Sequence, residues 1–299
     1  SQKLQIVATI FPEYNWVKEI LGDQAENVDL TLLLGNGTDM HSFQPTMEDI
    51  LKVSTCDLFI YVGGESDSWV ADALKGAGNP DRKAINLMDV LGDQVKEEEI
   101  VEGMQDEDGH THEEEHTHDD DLEYDEHVWL SLKNASLFCD TIASSLADVD
   151  PEHSRLYQQN AEAYEEKLAA LDQEYQTSVE KSQSKTLLFA DRFPFRYLID
   201  DYNLTYYAAF AGCSAETDAS FETITFLAGK LDELKLPAVL TIENSDQKVA
   251  KAVIENTNTK DQKILTLNSM QSVTTKDVEE GTTYLSIMEN NLQILKEAL

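Results

Sequence analysis

Short apolar runs alternate with helical segments in two blocks of this 299-residue chain, and this alternation constrains the fold more than any other feature. In the first block the predicted strands span residues 4–10, 28–34, 57–63 and 83–87. In the second block they span 186–190, 206–211, 238–243 and 263–267. Strands that alternate with helices form parallel βαβ units, whose sheets are covered by helices. The sequence therefore predicts an α/β fold of two lobes, each with a parallel sheet flanked by helices.

One long helix is predicted between the two blocks. It begins at Asp150-Pro151-Glu152 with an acidic first turn. Its apolar residues recur with helical spacing at Tyr157, Ala161, Tyr164, Leu168, Leu171 and Tyr175. A helix of roughly 30 residues is about 45 Å long, which suits a rigid connection between lobes. We therefore predict an N-terminal lobe over 1–149, a connecting helix over 150–183 and a C-terminal lobe over 184–299.

The charge of the chain is strongly acidic and unevenly spread. The net charge is −36, from 22 Lys and Arg against 58 Asp and Glu. Residues 97–126 contain 16 acidic residues and no Lys or Arg. This charge excludes nucleic acid and anionic lipid surfaces as partners, because both require basic residues. Since residues 93–126 also lack apolar periodicity, we predict that they form a mobile loop.

Four of the seven histidines lie in this acidic segment, at His110, His112, His116 and His118. Imidazole is a good ligand for zinc, copper and nickel, and the neighbouring carboxylates raise the local metal concentration. The alternative is a solvated charge run. We interpret the segment as an accessory metal collector with several binding geometries.

Two further histidines occupy positions where a metal ligand is expected. His41 lies in the loop after the second predicted strand, and such loops carry function in α/β lobes. His127 is the first residue of a return to structure after the acidic segment. Each has an ordinary alternative: a surface loop residue for His41, and a core or capping residue for His127.

Three residues with oxygen ligands lie at the ends of predicted strands in the second block. Asp191 and Asn268 follow the runs at 186–190 and 263–267, and Glu243 is the last residue of the run at 238–243. Ligands of open α/β sheets bind at the carboxyl ends of strands, so each side chain is a candidate ligand. For Asp191 the alternatives are a helix cap or an ion pair with Arg192 or Arg196. Cys56, Cys139 and Cys213 form no CxxC pair, and we interpret them as small buried hydrophobic residues.

The chain resembles the solute-binding proteins of zinc and manganese ABC importers. The resemblance rests on DMHSFQP at 39–45, EYDEHVWLSLKNA at 123–135, the His- and acid-rich segment, and the closing GTTYLSIMENNLQILKEAL. It implies a metal between two lobes, with two ligands from each. His41 matches the first histidine and His127 the second. Asp191 is the nearest match to the third ligand, which is His in zinc members and Glu in manganese members.

The fourth ligand of this family is Asp in many members, and Asn268 occupies that place here. The alternatives are Glu243, a residue of 213–216, or water. The His-rich segment favours zinc, because such loops accompany zinc in this family and imidazole binds Mn²⁺ weakly.

The resemblance implies an extracytoplasmic zinc receptor, either a cell-surface lipoprotein or a periplasmic protein, that delivers its ion to a membrane permease. We expect a monomer whose export signal has been removed. A manganese receptor and a metal-storage or adhesin protein are the alternatives. An enzyme is not expected, because the sequence contains no HExxH motif and no nucleophile elbow.

Overall fold

A computed structural model describes residues 2–105 and 123–299 of the chain. Its contacts divide the chain into two compact units. The first unit consists of Ser1–Val95, Ser131–Asp172 and Met270–Ile287. The second consists of Lys96–Leu130, Gln173–Ser269 and Met288–Leu299. The units therefore interleave along the sequence, whereas the predicted division at 149/150 and 183/184 follows chain order.

The first unit is built on a four-stranded parallel sheet with the order β2-β1-β3-β4. The strands are β1 (Leu4–Ala8), β2 (Val28–Leu32), β3 (Leu58–Tyr61) and β4 (Lys83–Asn86). The helices that accompany them are α1 (Phe11–Leu21), α2 (Met47–Thr55), α3 (Val70–Lys75), α4 (Leu87–Leu91) and α5 (Leu132–Val149). The short helix α10 (Thr275–Glu279) also belongs to this unit. The apolar strands of the first unit are covered by helices, as parallel sheets require.

Aromatic packing ties distant parts of the sequence into the first unit. The ring of Trp16 lies 5.6 Å from Phe138 and 5.2 Å from Tyr284 between ring centroids. The backbone N–H of Tyr284 donates to the Asn15 side chain at 2.8 Å. All of these residues are buried. The segment Met270–Ile287 thereby joins the unit that the N-terminal residues form.

The second unit repeats this architecture with the strand order β6-β5-β7-β8, again parallel. The strands are β5 (Thr186–Phe193), β6 (Thr205–Ala211), β7 (Ala238–Ile242) and β8 (Lys263–Leu267). The helices are α7 (Arg196–Asp201), α8 (Phe221–Leu234) and α9 (Lys248–Glu255), and most of α11 (Tyr284–Ala298) also belongs here. Leu188, Phe210, Leu227, Val239 and Val253 form the centre of its core.

The long helix α6 (Ser154–Lys181) has 28 residues and contributes to both units, with the division at Asp172. The apolar residues that predicted it, from Tyr157 to Tyr175, are all buried. The predicted fold class is confirmed: two parallel four-stranded sheets are flanked by helices, and the chain contains one long helix.

The described flanks of the acidic segment are packed and hydrogen-bonded. Glu98 N–H donates to Glu123 O at 2.7 Å, and an antiparallel bridge pairs Glu97 with Tyr124. Gln105 N–H donates to Ala209 O at 2.9 Å. The predicted loop over 93–126 thus begins and ends in fixed structure, and its residues 106–122 lie outside the described part. Among the described residues, no helix is long and apolar enough to span a membrane.

Candidate metal centre

In the first unit, His41 lies in a single 3-10 turn, Met40–Ser42, in the loop after β2. Asp39 begins this turn, and its Oδ1 accepts the backbone N–H of His41 at 2.9 Å. The same Oδ1 lies 2.6 Å from Nδ1 of the His41 ring. The His41 side chain retains 18% of its exposure. The carboxylate therefore fixes both the backbone and the ring of a partly accessible histidine.

In the second unit, His127 has the same local arrangement. Oδ1 of Asp125 accepts the His127 backbone N–H at 2.9 Å and lies 2.8 Å from Nδ1 of the ring. The His127 side chain is fully buried and packs edge-on against Trp129, with ring centroids 5.4 Å apart. Trp129 is held in turn by its Nε1–H, which donates to Ser269 O at 2.9 Å.

The two Asp-x-His units have a direct chemical consequence. A carboxylate at Nδ1 keeps the proton on that nitrogen, so Nε2 presents its electron pair. Metal-binding histidines are usually oriented in this way, with the other ring nitrogen donating to a carboxylate or carbonyl group. Both predicted histidines are therefore prepared to bind a transition metal through Nε2.

Cys213 is a further potential ligand in the second unit. It follows β6, and its sulfur lies within 4.8 Å of a ring nitrogen of His127. Burial raises the pKa of the Cys213 thiol, and the negative charges of Glu98, Glu126 and Asp125 raise it further. None of the three cysteines forms a disulfide in the described residues, and Cys213 is more exposed than the buried Cys56 and Cys139.

The interpretation of Cys213 as a small buried hydrophobic residue did not foresee this neighbourhood, although the range 213–216, named among the alternatives for the fourth ligand, includes it. One signal in the sequence was available. Cys213 follows the predicted strand at 206–211, so it lies at a carboxyl end, where ligands of α/β sheets bind.

The sequence predicts that Asp191 ends its strand, but the structure places it inside β5. β5 continues to Phe193, with an irregular register between Phe189 and Arg192. Oδ2 of Asp191 accepts the Ile242 N–H at 3.0 Å, and its Oδ1 accepts the Arg192 N–H at 2.7 Å. These hydrogen bonds differ from the helix cap and the ion pairs that the sequence offered as alternatives for Asp191. The bond to Ile242 connects β5 to the end of β7.

Glu243 and Asn268 also make hydrogen bonds within the second unit. The Glu243 carboxylate accepts the Ser269 N–H at 2.8 Å and the Ser269 hydroxyl at 2.6 Å. The backbone of Asn268 exchanges two hydrogen bonds of 2.9 Å with the Asn291 side chain. The roles of Asp191, Glu243 and Asn268 as metal ligands remain predictions. His110, His112, His116 and His118 lie outside the described residues.

Histidines oriented by carboxylates in loops of parallel α/β units are the arrangement expected of a transition-metal-binding protein. Residues 6–298 match the model of the family described as zinc-uptake complex component A, periplasmic. The chain belongs to this family, and the predicted resemblance is confirmed.

Individual relatives agree with this assignment. The chain is 33% identical to the zinc-binding lipoprotein AdcA of Streptococcus pneumoniae over 99% of its own length and 56% of that protein. It is 29% identical to the high-affinity zinc uptake system protein ZnuA of Bacillus subtilis, over all of its length and 88% of that protein. The crystal structure of the Zn(II)-bound ZnuA-like domain of S. pneumoniae AdcA superposes with a TM-score of 0.76 at 27% identity, with 99% of both chains covered. The chain thus spans about half the length of the AdcA proteins that it matches.

Proposed function

We propose that this protein is the extracytoplasmic, high-affinity zinc receptor of an ABC importer, and that it delivers its ion to a membrane permease. The observation that carries the proposal is the pair of Asp-x-His units, Asp39 with His41 and Asp125 with His127. Family membership supports it, because the family is that of a zinc-uptake component. The zinc-binding relatives, one of which is a lipoprotein, support a cell-surface lipoprotein or a periplasmic protein. We propose that it acts as a monomer.

The proposed ligands are two histidines and one residue with an oxygen ligand. His41 and His127 would bind zinc through Nε2, and one oxygen ligand would come from Asp191, Asn268 or Glu243. Zinc in proteins is usually four-coordinate and accepts nitrogen, sulfur and oxygen ligands. The two histidines and one of these oxygen ligands supply three of the four positions.

The nitrogen donors favour zinc over manganese, which is the main alternative. Manganese prefers oxygen ligands and binds imidazole weakly by the Irving–Williams order. An Asp oxygen lies at Nδ1 of both His41 and His127, which would leave Nε2 of each ring to bind the metal. A manganese receptor would gain little from them.

A storage or adhesin protein is the second alternative, and it would depend on the His-rich segment. His110, His112, His116 and His118 would then hold most of the bound metal. We propose instead that they collect zinc weakly and that the receptor site works without them. Deletion of residues 106–121 separates the two ideas, because a storage protein would lose nearly all of its capacity.

We also propose that the protein turns over no substrate. The family is a transport family. A catalytic zinc needs three protein ligands, an open position and a general base. A receptor instead needs a closed ligand set that holds and releases one ion.

A competition titration tests this function. The chain without residues 106–121 is titrated with zinc and with manganese against a chelator of known affinity, beside the full chain. We expect one tight zinc per deleted chain, additional weak zinc only in the full chain, and weaker manganese binding in both. Tighter binding of manganese than zinc by the deleted chain would reject the zinc receptor, and loss of all tight binding would favour storage.

A further inference from the structure

We propose that Cys213 is a sulfur ligand to the transported zinc, beside His127. This inference rests on the proposed function and names a residue that sets the metal preference of the protein. Cys213 and His127 both belong to the second unit, and the cysteine sulfur lies within 4.8 Å of a ring nitrogen. Two donors on one tetrahedral zinc, with bonds of about 2.0 Å to nitrogen and about 2.3 Å to sulfur, lie about 3.5 Å apart. Shortening the distance between the two atoms by about 1.3 Å or less would bring both onto one ion.

The backbone before Cys213 lies close to the His127 ring. A Cβ atom added at Gly212 would be 2.6 Å from Phe193 O and 3.4 Å from Cε1 of His127. The carbonyl contact is shorter than real Cβ atoms allow, so only glycine fits here without a shift. Because Gly212 has no side chain, the loop after β6 approaches the imidazole, and the next side chain is the thiol.

Hydrogen bonds hold this loop in place. Oε1 of Glu98 accepts the Cys213 N–H at 3.0 Å, and Ser214 N–H donates to Ala211 O at 3.2 Å. Glu98 is anchored by its own N–H, which donates to Glu123 O. The Glu123 end of that bond lies two residues before Asp125, which orients His127. One short stretch of structure therefore positions both the thiol and the imidazole.

The chemistry of sulfur gives this ligand a functional consequence. Binding replaces the S–H bond with a zinc–sulfur bond, and the proton leaves to solvent, so each bound zinc releases one proton from Cys213. Thiolate is a soft ligand that suits zinc, whereas manganese prefers oxygen. Cys213 would thus select zinc and other thiophilic ions, such as cobalt(II) and cadmium(II), over manganese.

Cobalt(II) absorption tests the sulfur bond. The chain is loaded with cobalt as the parent protein, as Cys213→Ser, and as Cys56→Ala, a buried-cysteine control. We expect a thiolate-to-cobalt charge-transfer band in the parent and the control. Cys213→Ser should lose this band, keep the visible d–d bands of bound cobalt, and bind zinc about tenfold or more weakly.

The possible outcomes separate this inference from the proposed function. A parent protein that binds cobalt without the charge-transfer band, or a band that persists in Cys213→Ser, would overturn the sulfur ligand and leave the receptor intact. A parent protein that binds neither zinc nor cobalt would overturn both.

A second measurement needs no variant. Zinc-bound and zinc-free parent protein are treated with iodoacetamide, and the labelled cysteines are mapped by mass spectrometry. We expect one equivalent of zinc to protect Cys213 and a chelator to restore its alkylation. An unchanged rate at Cys213 with zinc bound would contradict the inference.

Discussion

Oδ1 of Asp125 lies 2.8 Å from Nδ1 of His127, and the same oxygen accepts the His127 backbone N–H at 2.9 Å. One carboxylate thus fixes the backbone, the ring plane and the tautomer of a fully buried histidine. The cost of burying this polar pair is offset because both partners are hydrogen-bonded. A buried, hydrogen-bonded pair of this kind is expected where a ring nitrogen must face a ligand in one orientation.

Removal of the orienting carboxylate should weaken zinc binding without removing a ligand. We expect Asp125→Ala to bind zinc about 10- to 100-fold more weakly, because the His127 ring loses its fixed tautomer and orientation. Asp150→Ala is the matched control, since Asp150 contacts Nδ1 of His153 at 2.9 Å, a histidine outside the proposed site. Competition titration measures both. Equal loss in the two variants would mean that the effect is one of general stability.

The close approach at Gly212 should be essential for metal binding. We expect Gly212→Ala to push the loop away from Phe193 O and His127, and so to weaken zinc binding. Gly229→Ala is its control, because an added Cβ there meets nothing within 4 Å. Alanine in the middle of α8 should also stabilise the protein by about 0.5–1 kcal/mol. Zinc titration and thermal unfolding of both variants check this, and unchanged zinc affinity in Gly212→Ala would be the contrary result.

Substitution can show which of Asp191, Glu243 and Asn268 binds zinc and which only makes hydrogen bonds. Asp191→Ala leaves the Ile242 N–H without its acceptor, and Glu243→Ala does the same to the Ser269 hydroxyl. Each should lower the free energy of unfolding by about 1–3 kcal/mol in the metal-free protein. Only the variant that removes the zinc ligand should also weaken zinc binding. Urea unfolding combined with zinc titration resolves the two effects, with Asn268→Ala as the third variant. Full zinc affinity in all three would leave water or a residue of 213–216 as the oxygen ligand.

Glu165 should make stability depend on pH. It lies on α6, and its partial burial, its hydrogen bond with Asp140 and the charges of Asp140 and Glu162 raise its pKa from 4.5 to about 8. The folded state therefore binds this proton more tightly than the unfolded state. Its contribution is fully present below the unfolded pKa and is lost as the pH rises through 8.

Glu165→Gln, which stays neutral, tests this dependence. We expect it to match the parent at about pH 4, below the unfolded pKa of 4.5, and to exceed it by about 1 kcal/mol at about pH 8.5, after allowance for solvent screening. Urea unfolding at both pH values measures the difference, with the exposed neighbour variant Glu166→Gln as control. A gain of equal size at both pH values would refute the assigned pKa.

Much of this fold follows from local patterns in the sequence. The eight strands and the long helix are predicted because apolar periodicity is set by near neighbours. Asp191 is misplaced relative to its strand because β5 continues through an irregularity that no local pattern marks. The packing of Gln105 and Glu98 is not foreseen either, because their acidic surroundings have the composition of a loop.

The site divides in the same way. His41 and His127 are recognisable because each follows an Asp by two residues, and that spacing is written in the chain. The nearness of Cys213 to His127 cannot be recognised in this way, since it depends on how the loop after β6 packs against residues 123–130. Contacts between segments some 80 residues apart are a property of tertiary structure alone.

The most direct test of the zinc receptor is the affinity of His41→Ala/His127→Ala for zinc, measured by chelator competition in the chain without residues 106–121. The matched control is His153→Ala, which should bind one zinc as tightly as the parent. We predict that the double variant loses the tight site. Zinc binding by the double variant as tight as that of the parent would contradict the assignment.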